Sequence, residues 1–189
     1  EEGSQTLNFT KTSMEDVKIT LDSEIEVTSV KFGENELVVD NYSALVEDGK
    51  TVVVIDADYI NGLEQADDKA DYLVTINCKV TEGVEYFIDS TISVSKKSIE
   101  EAEITFEEID LTYDGTEKKP NVTVKLGEKE LTEADFAVTY TEDLTSAGVK
   151  TVTVAGSGNY CGSTSVTYTV NPKTVSISKI ASSVMSSAR

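Results

Sequence analysis

Five aspartates in the first half of the chain are the side chains whose type and spacing best suit metal chemistry. Calcium in proteins takes about six to eight oxygen ligands, mostly from carboxylates and carbonyls. The spacing of these aspartates does not follow the EF-hand pattern, because Gly62 lies one position later than that pattern requires. Two interpretations stay open, a calcium site or a solvated acidic loop with a helix cap, and no other cofactor is expected. The aspartates are Asp56, Asp58, Asp67, Asp68 and Asp71.

Tyrosine rings are the second group with a chemical use, since an aromatic face can stack on a sugar. The chain has eight tyrosines but no tryptophan, which weakens a sugar-stacking platform. The candidates for glycan contact are Tyr42, Tyr86, Tyr113 and Tyr160, with Tyr59 as a fifth. The alternative role is structural: Tyr59 would pack from a helical turn, and Tyr113 and Tyr160 would brace turns.

The sequence contains no histidine, which excludes Ser-His-Asp and Cys-His catalysis and histidine-based zinc sites. The Gly-rich stretch at 156–160 lies between predicted strands, so we interpret it as a tight turn and not as a phosphate loop. Carboxylate pairs are abundant, but a glycosidase pair needs a cleft about 5–10 Å wide, which two small modules rarely build. We therefore predict no enzymatic activity and no catalytic residues.

The chain is strongly acidic, with 35 acidic and 16 basic residues and a net charge of -19. Such a surface repels phosphate backbones, so we predict no binding to nucleic acid. No apolar run approaches the roughly 18 residues that a membrane span needs, so we predict no membrane insertion. The charge favours solubility, and we expect a monomer.

Two cysteines and two strand lysines complete the reactive groups. Cys78 shares its parity with Ile76 and should point into a core, whereas Cys161 lies in a Gly-rich turn. The two cysteines fall in different predicted domains, so a disulfide between them is not expected. An internal isopeptide bond would need a strand lysine that faces an amide or carboxyl group, with a buried acid beside it. Lys18 and Lys125 have the parity that points away from the apolar residues.

Short runs rich in β-branched residues alternate with turn residues along the chain, which predicts an all-β fold. Thr51–Ile55 is continuous enough to be a strand that is buried on both faces or central in its sheet. A hairpin is predicted at Gly33–Glu36, with the strand resuming at 37–39. Only 56–63 breaks the pattern, and its spacing predicts one helical turn that Asp56 or Asp58 caps. Alternation of apolar and polar residues leaves one face of each sheet exposed to solvent, which favours antiparallel pairing.

Turn signals recur every 8–12 residues or so, as in β-sandwiches, and a short polar junction at Lys96–Ser98 divides the chain. We predict one domain at 1–97, a second at 98–172, and a linker or tail at 173–189. The last two strands of the first domain are expected at 71–80 and 84–94, with a turn at 81–83. Because the chain starts at a glutamate, we expect a mature or excised fragment.

The second domain resembles the short bacterial Ig-like repeats found in Gram-positive surface proteins. The resemblance covers nearly the whole domain and implies a sandwich fold without implying an activity. The matching pieces are Tyr113-Asp114-Gly115-Thr116, Pro120, Val122-Thr123-Val124, Leu131, Asp135-Phe136, Val138-Thr139-Tyr140, Ala147-Gly148 and Gly156-Ser157-Gly158-Asn159-Tyr160 with Gly162.

The first domain, at residues 5–95, is similar to the Ig-like X-module family that accompanies cellulases and cellulosome scaffold proteins. The match covers about two thirds of the domain and implies a spacer, solubilising or glycan-contact role. It rests on Gly33, Leu37, Tyr42, Leu45, Thr51–Ile55, Tyr59-Ile60 and Leu63.

Together these patterns predict two tandem Ig-like antiparallel β-sandwiches in an elongated, secreted or cell-wall attached bacterial protein. The expected function is that of a non-catalytic spacer or adhesion module. The alternative is a carbohydrate-binding accessory module of a polysaccharide-degrading enzyme or scaffold. Expected partners are neighbouring domains of the same polypeptide, a polysaccharide, or a host or cell-surface protein.

Overall fold

The computed structural model describes residues 5–79 and 83–175. These residues form strands and one short helix, which confirms the all-β prediction. The elements are β1 (Thr6–Thr10), β2 (Val17–Thr20), β3 (Glu26–Phe32), β4 (Asn35–Glu36), β5 (Tyr42–Glu47), β6 (Lys50–Ile55), α1 (Ala57–Gly62), β7 (Lys69–Lys79), β8 (Glu85–Ser95), β9 (Lys97–Ser98), β10 (Glu103–Phe106), β11 (Val122–Leu126), β12 (Lys129–Glu130), β13 (Phe136–Tyr140), β14 (Gly148–Gly156), β15 (Tyr160–Cys161) and β16 (Ser163–Val170).

The first half is a sandwich of two sheets around one apolar core. One sheet has five strands in the order β1-β8-β7-β3-β4, and the other has three in the order β2-β6-β5. Phe32 and Ile76 come to the core from the five-stranded sheet, while Ile19 and Val53 come from the three-stranded sheet. All four are at most 1% exposed. Period-two alternation in the sequence therefore becomes the inner and outer faces of each sheet.

Helix α1 is fixed at both ends by side chains. The Asp56 carboxylate accepts from the backbone N–H groups of Asp58 and Tyr59, which makes Asp56 the N-cap. At the other end, the buried Lys11 ammonium donates to the carbonyl of Asn61 at 3.1 Å and to that of Leu63. These bonds satisfy carbonyls that the helix end leaves unpaired. Desolvation lowers the pKa of Lys11, and the charge of a neighbouring lysine lowers it further.

The second half has two three-stranded sheets, β10-β11-β12 and β13-β14-β16, and smaller cores. Val154 on β14 packs with Ile99, Val124 and Tyr160, whereas Val152 on the same strand belongs to a second cluster. The members of the second cluster are Leu144, Val152, Tyr168 and Val170. The two halves keep separate cores, while the predicted boundaries at 97 and 172 stay predictions.

The predicted junction is part of a sheet. Lys97–Ser98, as β9, pairs in parallel with Tyr160–Cys161, as β15. The Lys97 N–H donates to the Asn159 carbonyl at 2.9 Å, and the Ile99 N–H donates to the Cys161 carbonyl at 3.0 Å. Ile99 is fully buried in the core of the second half. The chain therefore passes from one core to the next without a free linker.

Several local expectations are corrected. The strand does not resume at 37–39, because only Leu37 faces the core while Val38 and Val39 are exposed; the chain turns there and forms β5 instead.

Most pairs are antiparallel as predicted, but β1–β8 and β9–β15 are parallel. Parallel neighbours need a long connection, and these pairs join segments far apart in sequence. Of the turn expected at 81–83, residues 81 and 82 lie outside the described residues, as do 176–189 of the expected tail.

A methyl group at Gly156 should disrupt the second half. An added Cβ would lie 2.6 Å from the Cys161 backbone nitrogen, so β14 and β15 would have to move apart. We expect Gly156→Ala to lower the free energy of unfolding by about 1–3 kcal/mol, measured by urea denaturation.

Gly62→Ala is the matched control, because a Cβ at the end of α1 meets no atom within 4 Å. Its stability should stay unchanged or rise by up to about 1 kcal/mol. Equal stability of the two variants would contradict the packing described for Gly156.

Candidate functional site

The outward side of β3, β7 and β8 is a surface of the first half whose polar side chains bond to one another. We call it the outer face. Its side chains alternate with core residues along each strand, so the buried core holds their backbone in place. The outer face consists of Ser29, Lys31, Leu73, Thr75, Asn77, Phe87, Asp89 and Thr91.

Strand register arranges these residues in rows across the sheet. Asn77 on β7 lies between Ser29 and Phe87, and Thr75 lies between Lys31 and Asp89. The Asn77 amide donates to the Ser29 hydroxyl at 2.9 Å, and the Thr75 hydroxyl donates to the Asp89 carboxylate at 2.7 Å. These bonds hold the amide, hydroxyl and carboxylate groups in fixed directions.

Phe87 gives the outer face an exposed aromatic ring. Its side chain is 65% exposed beside the Asn77 amide, and Leu73, 50% exposed, adds an apolar edge. An aromatic ring next to hydrogen-bonding groups has the chemistry that contacts a sugar, since the ring covers apolar C–H groups while the polar groups bind hydroxyls. The outer face is thus the best candidate for a ligand surface.

Sequence reasoning favoured tyrosines and missed Phe87. The missed signal is parity: Ile88, Ser90, Ile92 and Val94 share the inward positions of β8, which leaves Phe87 outward. The other aromatic residue of this segment, Tyr86, has the inward parity and packs against the core.

The four tyrosines proposed for glycan contact are not brought together. Tyr42 packs against the first core, as Tyr86 does. Tyr160 is only 2% exposed, and its hydroxyl accepts from the Lys129 ammonium at 2.8 Å, so its ring face is covered and cannot stack on a sugar. Tyr113 is 40% exposed, but it lies in the second half near Asn171.

Two of the candidate calcium ligands, Asp56 and Asp71, use their carboxylates in hydrogen bonds within the protein. Asp56 caps α1, and Asp71 accepts from the Ser93 hydroxyl. The backbone carbonyls of Asp67 and Asp68 accept from the Gln65 side chain and the Lys96 N–H. Within residues 5–79 and 83–175, no group of three acidic, cysteine or histidine side chains could hold a metal ion.

Neither cysteine forms a disulfide. Cys78 is fully buried, as its parity predicts. Burial raises the pKa of the Cys161 thiol, and the negative charge of Asp68 raises it further, so this thiol is not an activated nucleophile. Lys18 and Lys125 are exposed, as predicted.

A second exposed surface is the edge formed by β5. Among residues 5–79 and 83–175, this strand pairs only with β6, and both Leu45 and Val46 are about half exposed, at 48% and 56%. Unpaired backbone groups beside apolar side chains can add a strand from another chain. No helix in the described part of the chain is long and apolar enough to cross a bilayer.

The chain matches no family model and no curated protein. Among solved structures it is similar to cadherin domains EC1–4 of Drosophila N-cadherin, with 16% identity over 90% of this chain and 48% of that chain and a TM-score of 0.36. A three-domain fragment of a mouse clustered protocadherin gives 10% identity, 91% and 66% coverage, and a TM-score of 0.34.

A tri-modular endo-β-1,4-glucanase from Bacillus licheniformis gives 14% identity, 89% and 37% coverage, and a TM-score of 0.31. The chain thus spans between about a third and two thirds of the length of these three structures.

The Asp143 carboxylate should make the stability of the fold depend on pH in the acidic range. The N–H groups of Ser146 and Thr145 hydrogen-bond to it, and nearby Lys150 adds a favourable charge, which together lower its pKa to about 2. A depressed folded-state pKa gives stability that is present above the unfolded pKa of 3.8 and is lost as pH falls towards 2. We expect Asp143→Asn to lower the melting temperature at pH 7 and to match the wild type near pH 2.

The control is Glu108→Gln, which removes the charge of an exposed loop carboxylate. It should change the melting temperature little at either pH. An Asp143→Asn variant whose deficit is the same at pH 7 and pH 2 would contradict this assignment.

Proposed function

We propose that this chain is a non-catalytic spacer module of a secreted or cell-wall attached bacterial protein, holding neighbouring domains at a fixed separation. The observation that carries the proposal is the paired junction. The backbone of Lys97–Ser98 is hydrogen-bonded into the second half, and the next residue, Ile99, is anchored in that core.

Contacts on both sides of the junction support a stiff connection. The Lys96 N–H donates to the Asp68 carbonyl at 2.8 Å, and the Lys96 ammonium donates to the Ala66 carbonyl at 3.1 Å. Lys96 is thus bonded to the first half, while Lys97 is bonded to the second. A bend at this point would break backbone hydrogen bonds, each worth about 0.5–1.5 kcal/mol.

The remaining features agree with a passive module. The acidic surface, with a net charge of -19, favours solubility. The proposed partners are neighbouring domains of the same polypeptide, and the proposal needs neither a cofactor nor an enzymatic activity. The exposed β5 edge is the surface through which such a module could also adhere to a protein.

The spacer proposal is tested by whether the two halves tumble together. We expect amide ¹⁵N relaxation to give one rotational correlation time for residues 5–79 and 100–170. Lys97→Pro removes the N–H that bonds to Asn159 and should give shorter, unequal correlation times for the two halves.

Lys97→Ala is the matched control, because it removes the exposed side chain but keeps the N–H donor. Its relaxation should equal that of the wild type. Independent tumbling of the two halves in the wild type would reject the spacer proposal.

A second candidate function is carbohydrate binding by the outer face, which the exposed Phe87 ring among ordered polar groups favours. Affinity electrophoresis in gels that contain soluble β-glucans, xylans or mannans should show retardation of the wild type. Phe87→Ala should reduce the retardation at least about tenfold, since stacking on the ring is lost.

Val149→Ala is the control for this test, because Val149 is similarly exposed, at 68%, on a strand of the other half. It should bind like the wild type, and thermal unfolding should show that both variants stay folded. Absence of retardation by every polysaccharide would reject the carbohydrate-binding candidate and leave the spacer proposal standing.

A further inference from the structure

The segment that leaves the second half repeats the segment that leaves the first. Val94 and Val170 are fully buried residues at the ends of the last strands, β8 and β16. In both segments a lysine lies three residues after the valine. A serine or threonine and then a β-branched apolar residue come directly after that lysine. The segments are Val94-Ser95-Lys96-Lys97-Ser98-Ile99 and Val170-Asn171-Pro172-Lys173-Thr174-Val175.

The backbone hydrogen bonds of the two exit segments are also equivalent. The Ser95 carbonyl accepts from the Lys11 N–H at 2.7 Å, which continues the parallel pairing of β1 with β8. The Asn171 carbonyl accepts from the Tyr113 N–H, also at 2.7 Å, beside a parallel bridge between Thr112 and Asn171. Each exit segment therefore leaves its half from the same position, next to a parallel segment from the start of that half.

The two segments differ in the surroundings of their last apolar residue. Ile99 is fully buried, because the second half supplies a core and β15 supplies a pairing partner. Val175, at the equivalent position, is 78% exposed. Exposure of a single valine is common at a protein surface, but Ile99 at the equivalent position is covered by a core that the described residues do not supply at the second exit.

The surface around Val175 fits a partner that supplies such a core. An open groove of about 470 Å³ lies at this end of the second half. At the first junction, residues 61–65 and Gly158-Asn159 line a cleft between the halves. The groove lies beside the second exit segment, and its lining is mainly apolar. It is lined by Tyr113, Ser146, Ala147, Pro172, Lys173 and Val175.

From these observations we propose that the end of the second half docks a further β-sandwich of the same polypeptide through Lys173, Thr174 and Val175. Lys173–Thr174 would pair with a short strand of that module, as Lys97–Ser98 pair with β15. Val175 would enter its core, as Ile99 does. This proposal rests on the spacer function and names the surface through which the spacer continues.

A three-module chimera tests the proposal with parts of this chain. Residues 1–174 are joined directly to a second copy of residues 99–189, so that the new Ile99 comes directly after Thr174. Hydrogen exchange of the Lys173 amide is then compared with its exchange in the 189-residue chain. We expect slowing of at least about 100-fold, because this N–H would bond as Lys97 does.

A second chimera with a six-residue Gly-Ser insert after Thr174 is the matched control, since the insert separates the exit segment from the added core. Its Lys173 amide should exchange as fast as in the 189-residue chain. Slow exchange of core amides such as Val152 in the added copy shows that the copy is folded.

Fast exchange of Lys173 in the direct chimera, with a folded added copy, would overturn the docking proposal. So would concentration-dependent dimerisation of the 189-residue chain that Tyr113→Ala abolishes, because the groove would then bind a second copy. Neither result would alter the common tumbling of the two halves, so failure of the docking proposal is distinguishable from failure of the spacer proposal.

Discussion

The pairing of Lys97–Ser98 with Tyr160–Cys161 is the constraint on which the arrangement of this chain depends. The pairing brings the end of the first half against the Gly-rich turn of the second and places Ile99 in a core. It also requires close approach of backbones, since Gly156 leaves no space for a Cβ beside Cys161. A segment that composition marks as a polar linker is thus held by the same hydrogen bonds that hold the sheets.

Each half depends in turn on burial by alternation. On each strand, one set of side chains is buried and the alternate set stays exposed to solvent. In the first half this produces a continuous core between two sheets, and it leaves an outer face whose polar groups bond to one another across the strands. The outer face is therefore a consequence of the core, because buried residues fix the register that places Phe87 beside Asn77.

Much of the fold can be predicted from local chemistry that is visible in the sequence. Glycine at Gly33 and Gly127 marks turns whose φ angles are positive, at 59° and 61°, and both hairpins form there. The carboxylate of Asp56 needs only its own neighbours to cap α1. The site was less predictable, because Tyr160 and Phe87 are both aromatic residues of strands, and their opposite exposures depend on which face each strand turns towards a distant partner.

The sequence by itself determined the all-β class, the strand alternation, the helical turn at 56–63 and the inward position of Cys78, because each depends on residues close together in the chain. Only the tertiary structure decided that β1 pairs in parallel with β8, that Lys11 closes the end of α1, and that the junction becomes a strand. These contacts join residues about 50 to 85 positions apart, and their free energy comes from burying surfaces that meet only when the chain has folded.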